Sequence, residues 1–204
     1  MGSRTRLKGL TGRGGWLVLC IAHGTVSMML WWAGLGPDSF LTWRADHWPA
    51  TPWTAWSTAW VHPGAAQLIV NQLALGTLTG LVWWTRPGAL SATAWLLAWP
   101  LAHTSLFFWP QIGYAVGLGP VLHAGFAAIA CDLAIRADAS GRSRQWGLAL
   151  LAALTIKLGY EQGWSSPVVW DAANESSVVL AARLTGALMG AGLTLLLHAA
   201  LRRR

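Results

Sequence analysis

Apolar runs of close to 20 residues recur along this chain of 204 residues, and a run of that length crosses the hydrocarbon core of a bilayer as one α-helix. Only 10% of the residues are charged, whereas a soluble domain carries about 25%. The pattern therefore predicts an all-α membrane protein with six transmembrane helices. Their expected ranges are 16–35, 65–84, 89–109, 117–135, 146–160 and 178–201.

The basic residues predict which way the chain crosses the membrane. Cytoplasmic segments carry the excess of Lys and Arg, so basic residues that share one side mark that side as cytoplasmic. We therefore expect both termini in the cytoplasm, with a basic N-terminus at 1–15, a membrane domain at 16–201 and a basic C-terminus at 202–204. In the six-helix arrangement, eleven basic residues lie on this side: Arg4, Arg6, Lys8, Arg13, Arg86, Arg136, Arg142, Arg144, Arg202, Arg203 and Arg204.

The composition argues against several other classes of protein. A net charge of +7 could serve nucleic-acid binding, but the basic residues are accounted for as topology signals and leave no basic face. Cys20 and Cys131 both lie in apolar runs, where they offer neither a disulfide framework nor metal-ligand spacing. A transporter is disfavoured because the apolar runs show no repeat symmetry. We therefore expect no nucleic-acid partner, no metal and no cofactor.

Polar residues inside or beside the apolar runs are the functional candidates, because a polar group in a bilayer is costly to keep. Some of them have ordinary structural explanations. Asp132 has Arg136 four residues later as a partner, and His103 and Ser105 are expected to be bundle residues because residues two apart on a helix do not face each other. The candidates are His62, Gln67, Asn71, His103, Ser105, His123, Asp132, Lys157, Glu161 and Arg183.

The first group of candidates lies in the run WTAWSTAWVHPGAAQLIVN, which begins at Trp53. This run resembles the first loop and second helix of rhomboid intramembrane serine proteases, where a Trp-Arg pair precedes a His, and a second His and an Asn follow. Here Thr54 stands at the Arg position and Gln67 at the second His position. The resemblance implies that Gln67 and Asn71, which share a helix face, donate hydrogen bonds to a developing oxyanion. It places His62 and Trp53 on the substrate side.

The second group lies in the stretch GLGPVLHAG, which begins at Gly117. It is similar to the motif G-L-S-G-V-L-H-G at the start of the fourth helix of rhombosortases, a bacterial subfamily of rhomboids. Gly119 stands at the position of the nucleophilic serine, and Pro120 stands at the position of the next glycine. The resemblance implies that Gly117 and His123 belong to the substrate-binding part of the site.

The third group lies in the last apolar run, at AARLTGALMG. Rhomboids place their general base there as a His, followed by small residues at helical spacing. Arg183 stands at the His position, with Gly186 and Gly190 as the small residues, and a guanidinium remains protonated and cannot act as a base. A weaker match to rhombosortases, KLGYEQ, contains Lys157 and Glu161, whose spacing of four suits an ion pair.

Together these matches imply a six-helix rhomboid-like bundle of the rhombosortase type, with both catalytic positions substituted. A Ser–His dyad needs a hydroxyl and a base to activate it, and Gly119 and Arg183 supply neither. We therefore expect a pseudoprotease in a bacterial inner membrane, with its site facing the periplasm, that binds the transmembrane helix or C-terminal tail of a client protein. The alternative is an active rhomboid-type serine endopeptidase that processes C-terminal Gly-Gly transmembrane tails with a non-standard catalytic arrangement.

The role of Arg183 has three possible explanations. An unpaired Arg near the centre of a bilayer costs about 2.5–3.5 kcal/mol on insertion scales, so a partner is expected. It can pair within the protein with Glu161, Asp171 or Glu175. It can instead bind the carboxylate of a ligand through both guanidinium branches, or it can be held by backbone carbonyls.

Overall fold

The computed structural model describes residues 2–136, 141–172 and 176–202, with side chains from residue 12 onward. Within these ranges the chain forms helices and four short strands, and 3₁₀ turns at Thr58–Trp60 and Ser105–Phe108 continue the second and fourth helices. In chain order the elements are α1 Gly2–Trp32, β1 Trp43–Arg44, α2 Thr54–Ser57, α3 Ala65–Thr85, α4 Ala89–Thr104, β2 Tyr114–Ala115, α5 Gly119–Ile135, α6 Arg142–Glu161, β3 Val168–Asp171, β4 Ser176–Val179 and α7 Leu180–Arg202.

The described part of the chain is mostly helical, as expected for a helical membrane protein. Three of its helices are long and apolar enough to cross a membrane: Gly12–Trp32 within α1, α3 and α7. Helix α5 is apolar but has only 17 residues, α4 has 16, and α6 carries charged residues towards both ends. The arrangement of six transmembrane helices and the orientation of the termini remain predictions.

Several helix boundaries lie within two residues of the predicted ranges, and two of these boundaries lie close to a proline. Helix α3 ends at Thr85, beside Pro87, and α5 begins with Pro120 in its first turn, where a missing N–H is tolerated. The largest difference is at α1, which begins at Gly2 rather than at residue 16, so the basic segment before the apolar run is helical. Helix α7 begins at Leu180 rather than at residue 178, because strand β4 occupies the residues before it.

Two short antiparallel ribbons lie in the segments between the helices. Strand β1 pairs with β2, with Trp43 opposite Ala115, and β3 pairs with β4, with Val168 opposite Val179. Strands of two to four residues are too short to produce a readable alternation in the sequence. Valine favours the extended backbone of β3 and β4. The first ribbon ties the loop after α1 to the segment before α5.

Helix α5 lies at the centre of the bundle and packs against α3, α4, α6 and α7. Its approach to α7 is very close, because a Cβ at Gly186 or Gly190 would overlap the backbone carbonyls of Pro120 and Ala124. Helix α6 approaches in the same way, with Gly147 against the α5 backbone. Small residues at such crossings are typical of membrane helices. Gly186 and Gly190, the small residues at helical spacing in the last apolar run, therefore allow this close contact.

Several tryptophans are buried in the core, although tryptophan is typically enriched at membrane–water interfaces. Trp16, Trp43 and Trp95 are at most 1% exposed. The rings of Trp16 and Trp95 stack with centroids 4.6 Å apart and so join α1 to α4. The indole of Trp95 also donates to the carbonyl of Val121 in α5 at 2.8 Å. Other tryptophans are exposed, such as Trp32 at 82%, as a position at the membrane–water interface requires.

Candidate functional site at the start of helix α5

The segment that leads into α5 is held in place by Thr58, which is fully buried. The Thr58 hydroxyl accepts a hydrogen bond from Trp43 N at 3.0 Å and donates one to the carbonyl of Ala115. Its own carbonyl accepts from Gly117 N at 3.0 Å. Gly117 has φ +98°, a backbone conformation that favours glycine. Thr58 was not among the sequence candidates, because its partners are distant backbone groups that no local motif reveals.

Gly119 begins α5 and faces Arg183 of α7. A Cβ added at Gly119 would lie 3.4 Å from Arg183 Nε and 3.7 Å from its Cγ. Arg183 therefore covers the face of Gly119 from which any other residue would project its side chain. The structure thus brings together the two positions that the resemblance singled out as nucleophile and base. Pro120, the next residue, has no N–H to offer to a ligand at this turn.

A chain of polar side chains starts at the carbonyl of Gly119. His123 Nδ1 lies 2.6 Å from that oxygen, and Lys157 Nζ lies 2.9 Å from His123 Nε2. Because a carbonyl only accepts and an ammonium only donates, His123 carries its proton on Nδ1 and is neutral. Lys157 Nζ and Arg183 Nη1 both donate to Glu161 Oε1, each at 2.5 Å. The predicted Lys157–Glu161 pair is confirmed, and Glu161 is the internal partner of Arg183.

Helix α3 contributes two amide side chains to the same region. Asn71 Nδ2 donates to His62 Nε2 at 3.0 Å, and His62 Nδ1 donates to the carbonyl of Trp60 at 3.0 Å. Gln67 Nε2 lies 3.4 Å from the place that a Cβ on Gly117 would occupy. Gln67 Oε1 is buried and has no hydrogen-bond partner among the described residues. Both amides therefore lie beside the start of α5, and they share one helix face, as their spacing of four predicted.

The neutral state of His62 makes the stability of this region depend on pH. His62 is 2% exposed, and burial lowers its pKa from 6.5 to about 4. The unfolded chain binds the proton first as the pH falls, so the free energy of unfolding is expected to fall by about 3 kcal/mol between pH 6.5 and pH 4. Unfolding midpoints of the wild type and His62→Asn across this range test it. An acid slope that is the same in both proteins would contradict the assignment.

A cavity of about 340 Å³ opens beside the polar chain, between α3, α5, α6 and α7. Its polar wall is formed by Asn71, His123, Lys157 and Arg183, and most of the remaining wall is apolar. None of the described residues that line it carries a hydroxyl or a thiol. The cavity therefore offers amide and cationic donors beside an apolar surface, which suits an amphipathic ligand with a negatively charged or carbonyl oxygen.

Other predicted residues lie away from this cavity. Trp53 is 48% exposed, and its indole donates to the carbonyl of Phe40 at 3.2 Å. The Trp-Arg dipeptide of this sequence is Trp43–Arg44, which forms β1. His103 is fully buried, and Ser105 donates to a backbone carbonyl of its own helix, so both are bundle residues as predicted.

The sequence offered two further carboxylates, Asp171 and Glu175, as possible partners of Arg183. Asp171 lies in β3, and Glu175 lies outside the described residues. In the ranges that the structure describes, no three His, Cys, Asp or Glu side chains come together as a metal site.

No family model, no curated protein and no solved structure matches this chain.

Proposed function

We propose that this chain is a rhombosortase-like rhomboid membrane protein without proteolytic activity, which binds the transmembrane helix or C-terminal tail of a client protein. The proposal rests on the contact between Arg183 and Gly119. A serine protease of this type needs a hydroxyl and a neutral base at these two places. The resemblance assigns these two places to Gly119 and Arg183. Gly119 has no side chain to carry a hydroxyl, and Arg183 is a guanidinium paired with Glu161.

The binding part of the proposal is supported by the gap between α3 and α6. Both helices pack against α5 but make few close approaches to each other, and the cavity opens between them. On α6 the cavity wall is formed by Leu150, Ala153 and Leu154, whose spacing puts them on one helix face. Val70 of α3 lies opposite and is 61% exposed. An apolar client helix that packs into this gap would cover these side chains.

The proposed location is a bacterial inner membrane crossed by six helices, with the polar end of the cavity facing the periplasm. The support is the clustering of basic residues at the opposite end of α5. Arg136 donates to the carbonyl of Arg86 at 3.3 Å, and Arg202 donates to the carbonyl of Ile135 at 3.2 Å. Basic residues gathered at one end of a helical bundle favour the cytoplasmic side for that end.

The proposal predicts binding without cleavage. We would co-express the protein with a reporter that carries a Gly-Gly, a transmembrane helix and a basic tail, and follow both reporter cleavage and co-purification. Intact reporter that co-purifies is the expected result. Ala153→Trp fills the cavity wall and should reduce co-purification, while Ala152→Trp, one residue away and also exposed, should not. Cleavage of the reporter by the wild type would instead favour the active endopeptidase.

A second experiment tests whether the scaffold is that of a protease. Gly119→Ser with Arg183→His places a hydroxyl and a base at two positions that face each other. We expect slow cleavage of the reporter by the double variant and none by either single variant, because each half of a dyad needs the other. Cleavage should be slow because Pro120 cannot donate to an oxyanion. A folded double variant that binds the reporter without cutting it would count against a rhomboid scaffold.

A further inference from the structure

The polar wall of the cavity carries an excess of positive charge among the described residues. Lys157 and Arg183 are cations, Glu161 is the carboxylate that they share, and His123 between them is neutral. The side chain of Lys157 is 47% exposed and that of Arg183 is 26% exposed, whereas that of Glu161 is only 14% exposed. The cations therefore remain accessible from the cavity, and the carboxylate lies behind them.

The pairing within this cluster leaves capacity for a second carboxylate. Both cations donate to the same oxygen, Glu161 Oε1. A guanidinium has five N–H donors and an ammonium has three, so one shared acceptor oxygen does not use them fully. An unneutralised cation beside an apolar cavity favours an anion as its neighbour.

We propose that Lys157 and Arg183 bind the carboxylate of an Asp or Glu side chain on the client helix, and so select clients with an acidic residue in the turn that packs beside them. This inference rests on the proposed function, because it names the chemistry that the same cavity recognises. The rest of the cavity wall is apolar and lies on helix faces, which suits the apolar surface of a transmembrane helix. Charge complementarity supplies the specific contact, since an acidic residue in a membrane helix requires a cationic or hydrogen-bonding partner.

The test compares matched pairs of reporter helices, and the two members of each pair differ by one residue. Because one helical turn has 3.6 residues, four reporters carry Glu at four consecutive positions of the outer turn, and four matched reporters carry Gln. At one of these positions we expect the Glu reporter to bind about tenfold more tightly than its Gln partner, as a hydrogen-bonded charge pair allows. Equal binding at all four positions would overturn the inference.

Variants of Lys157, Arg183 and Glu161 test whether these residues recognise the negative charge on the reporter helix. Lys157→Gln and Arg183→Gln should each reduce the preference for Glu, and binding of the Gln reporter shows that the variant is folded. Glu161→Gln should increase the preference, because it frees both cations from their internal partner. A cluster with a purely structural role would lose binding of both reporters in Glu161→Gln. Arg44→Gln is the matched control, since Arg44 pairs with Asp38 outside the cavity. Arg183→Glu should favour a reporter with Lys at the same position.

The outcomes separate this inference from the proposed function. If Gln and Glu reporters bind equally well and Ala153→Trp blocks both, the cavity binds helices but does not select a carboxylate. If no reporter binds, the proposed function fails as well. A fatty-acid anion that co-purifies with the wild type and not with Arg183→Gln, detected by native mass spectrometry, would assign the cations to a free amphiphile and overturn the inference.

Discussion

Replacing Gly190 by alanine is expected to destabilise the bundle strongly. A Cβ at this position would overlap the carbonyl of Ala124 on α5, and a backbone atom cannot rotate away as a side chain can. Overpacking of this kind costs about 1–3 kcal/mol. We expect a lower unfolding midpoint for Gly190→Ala, and the same for Gly186→Ala, whose Cβ would meet the carbonyl of Pro120.

The same helix offers a control position two residues after Gly190. Gly192 has no atom within 4 Å of the place where its Cβ would lie. Alanine stabilises a helix interior by up to about 1 kcal/mol relative to glycine, so Gly192→Ala should leave the unfolding midpoint unchanged or raise it. A loss of stability in Gly190→Ala without a loss in Gly192→Ala would identify the contact with α5 as the cause. A similar loss of stability in both variants would contradict this explanation, because Gly192 makes no such contact with α5.

Removal of the Asp132 carboxylate is expected to have a comparably large effect at the other end of α5. The Asp132 side chain is 4% exposed and accepts from Arg136 Nη2 at 2.5 Å and from Gly88 N at 3.3 Å. Arg136 also donates to the carbonyl of Thr85 at 2.9 Å, so the cluster joins α5 to the end of α3 and the start of α4. Removing one partner of a buried ion pair costs about 3–5 kcal/mol.

We expect Asp132→Ala to lose about 3 kcal/mol in the free energy of unfolding, at the lower end of that range, because Arg136 is one-third exposed and keeps its carbonyl partners. Asp132→Asn should lose less, because its amide oxygen still accepts from Gly88. Asp38→Asn is the matched control: Asp38 pairs with Arg44 but is fully exposed, and solvent screening leaves an exposed ion pair with little effect on stability. Equal losses in the free energy of unfolding for Asp132→Asn and Asp38→Asn would contradict a stabilising role for the buried Asp132 ion pair.

Interactions between residues close in sequence were predictable. The pairs Asp132–Arg136 and Lys157–Glu161 have a spacing of four, which sets two side chains on one helix face whatever the rest of the fold does. The structure contains both pairs, with 2.5 Å between their charged atoms. The same local geometry predicted that Gln67 and Asn71 point in one direction from α3.

Contacts between distant segments were harder to predict. Three carboxylates were possible partners of Arg183, and sequence spacing could not choose Glu161 among them, because the choice depends on how α6 and α7 lie against α5. Thr58 gave no signal at all, since its partners are backbone groups 15 or more residues away. The burial of Trp16 and Trp95 was also missed, because a tryptophan at a membrane interface and one in a bundle core look alike in a sequence.

By itself, the sequence determined the helical membrane character of this protein, most of its helix ends and its local ion pairs. These follow from the apolar content, from prolines near helix boundaries and from the 3.6-residue period, all of which act within one segment of chain. Only the tertiary structure decided that Arg183 covers Gly119, that Glu161 is shared by two cations and that a cavity opens between α3 and α6. Those features depend on how closely α5, α6 and α7 approach, and that distance is set by backbone contacts at glycines far apart in the chain.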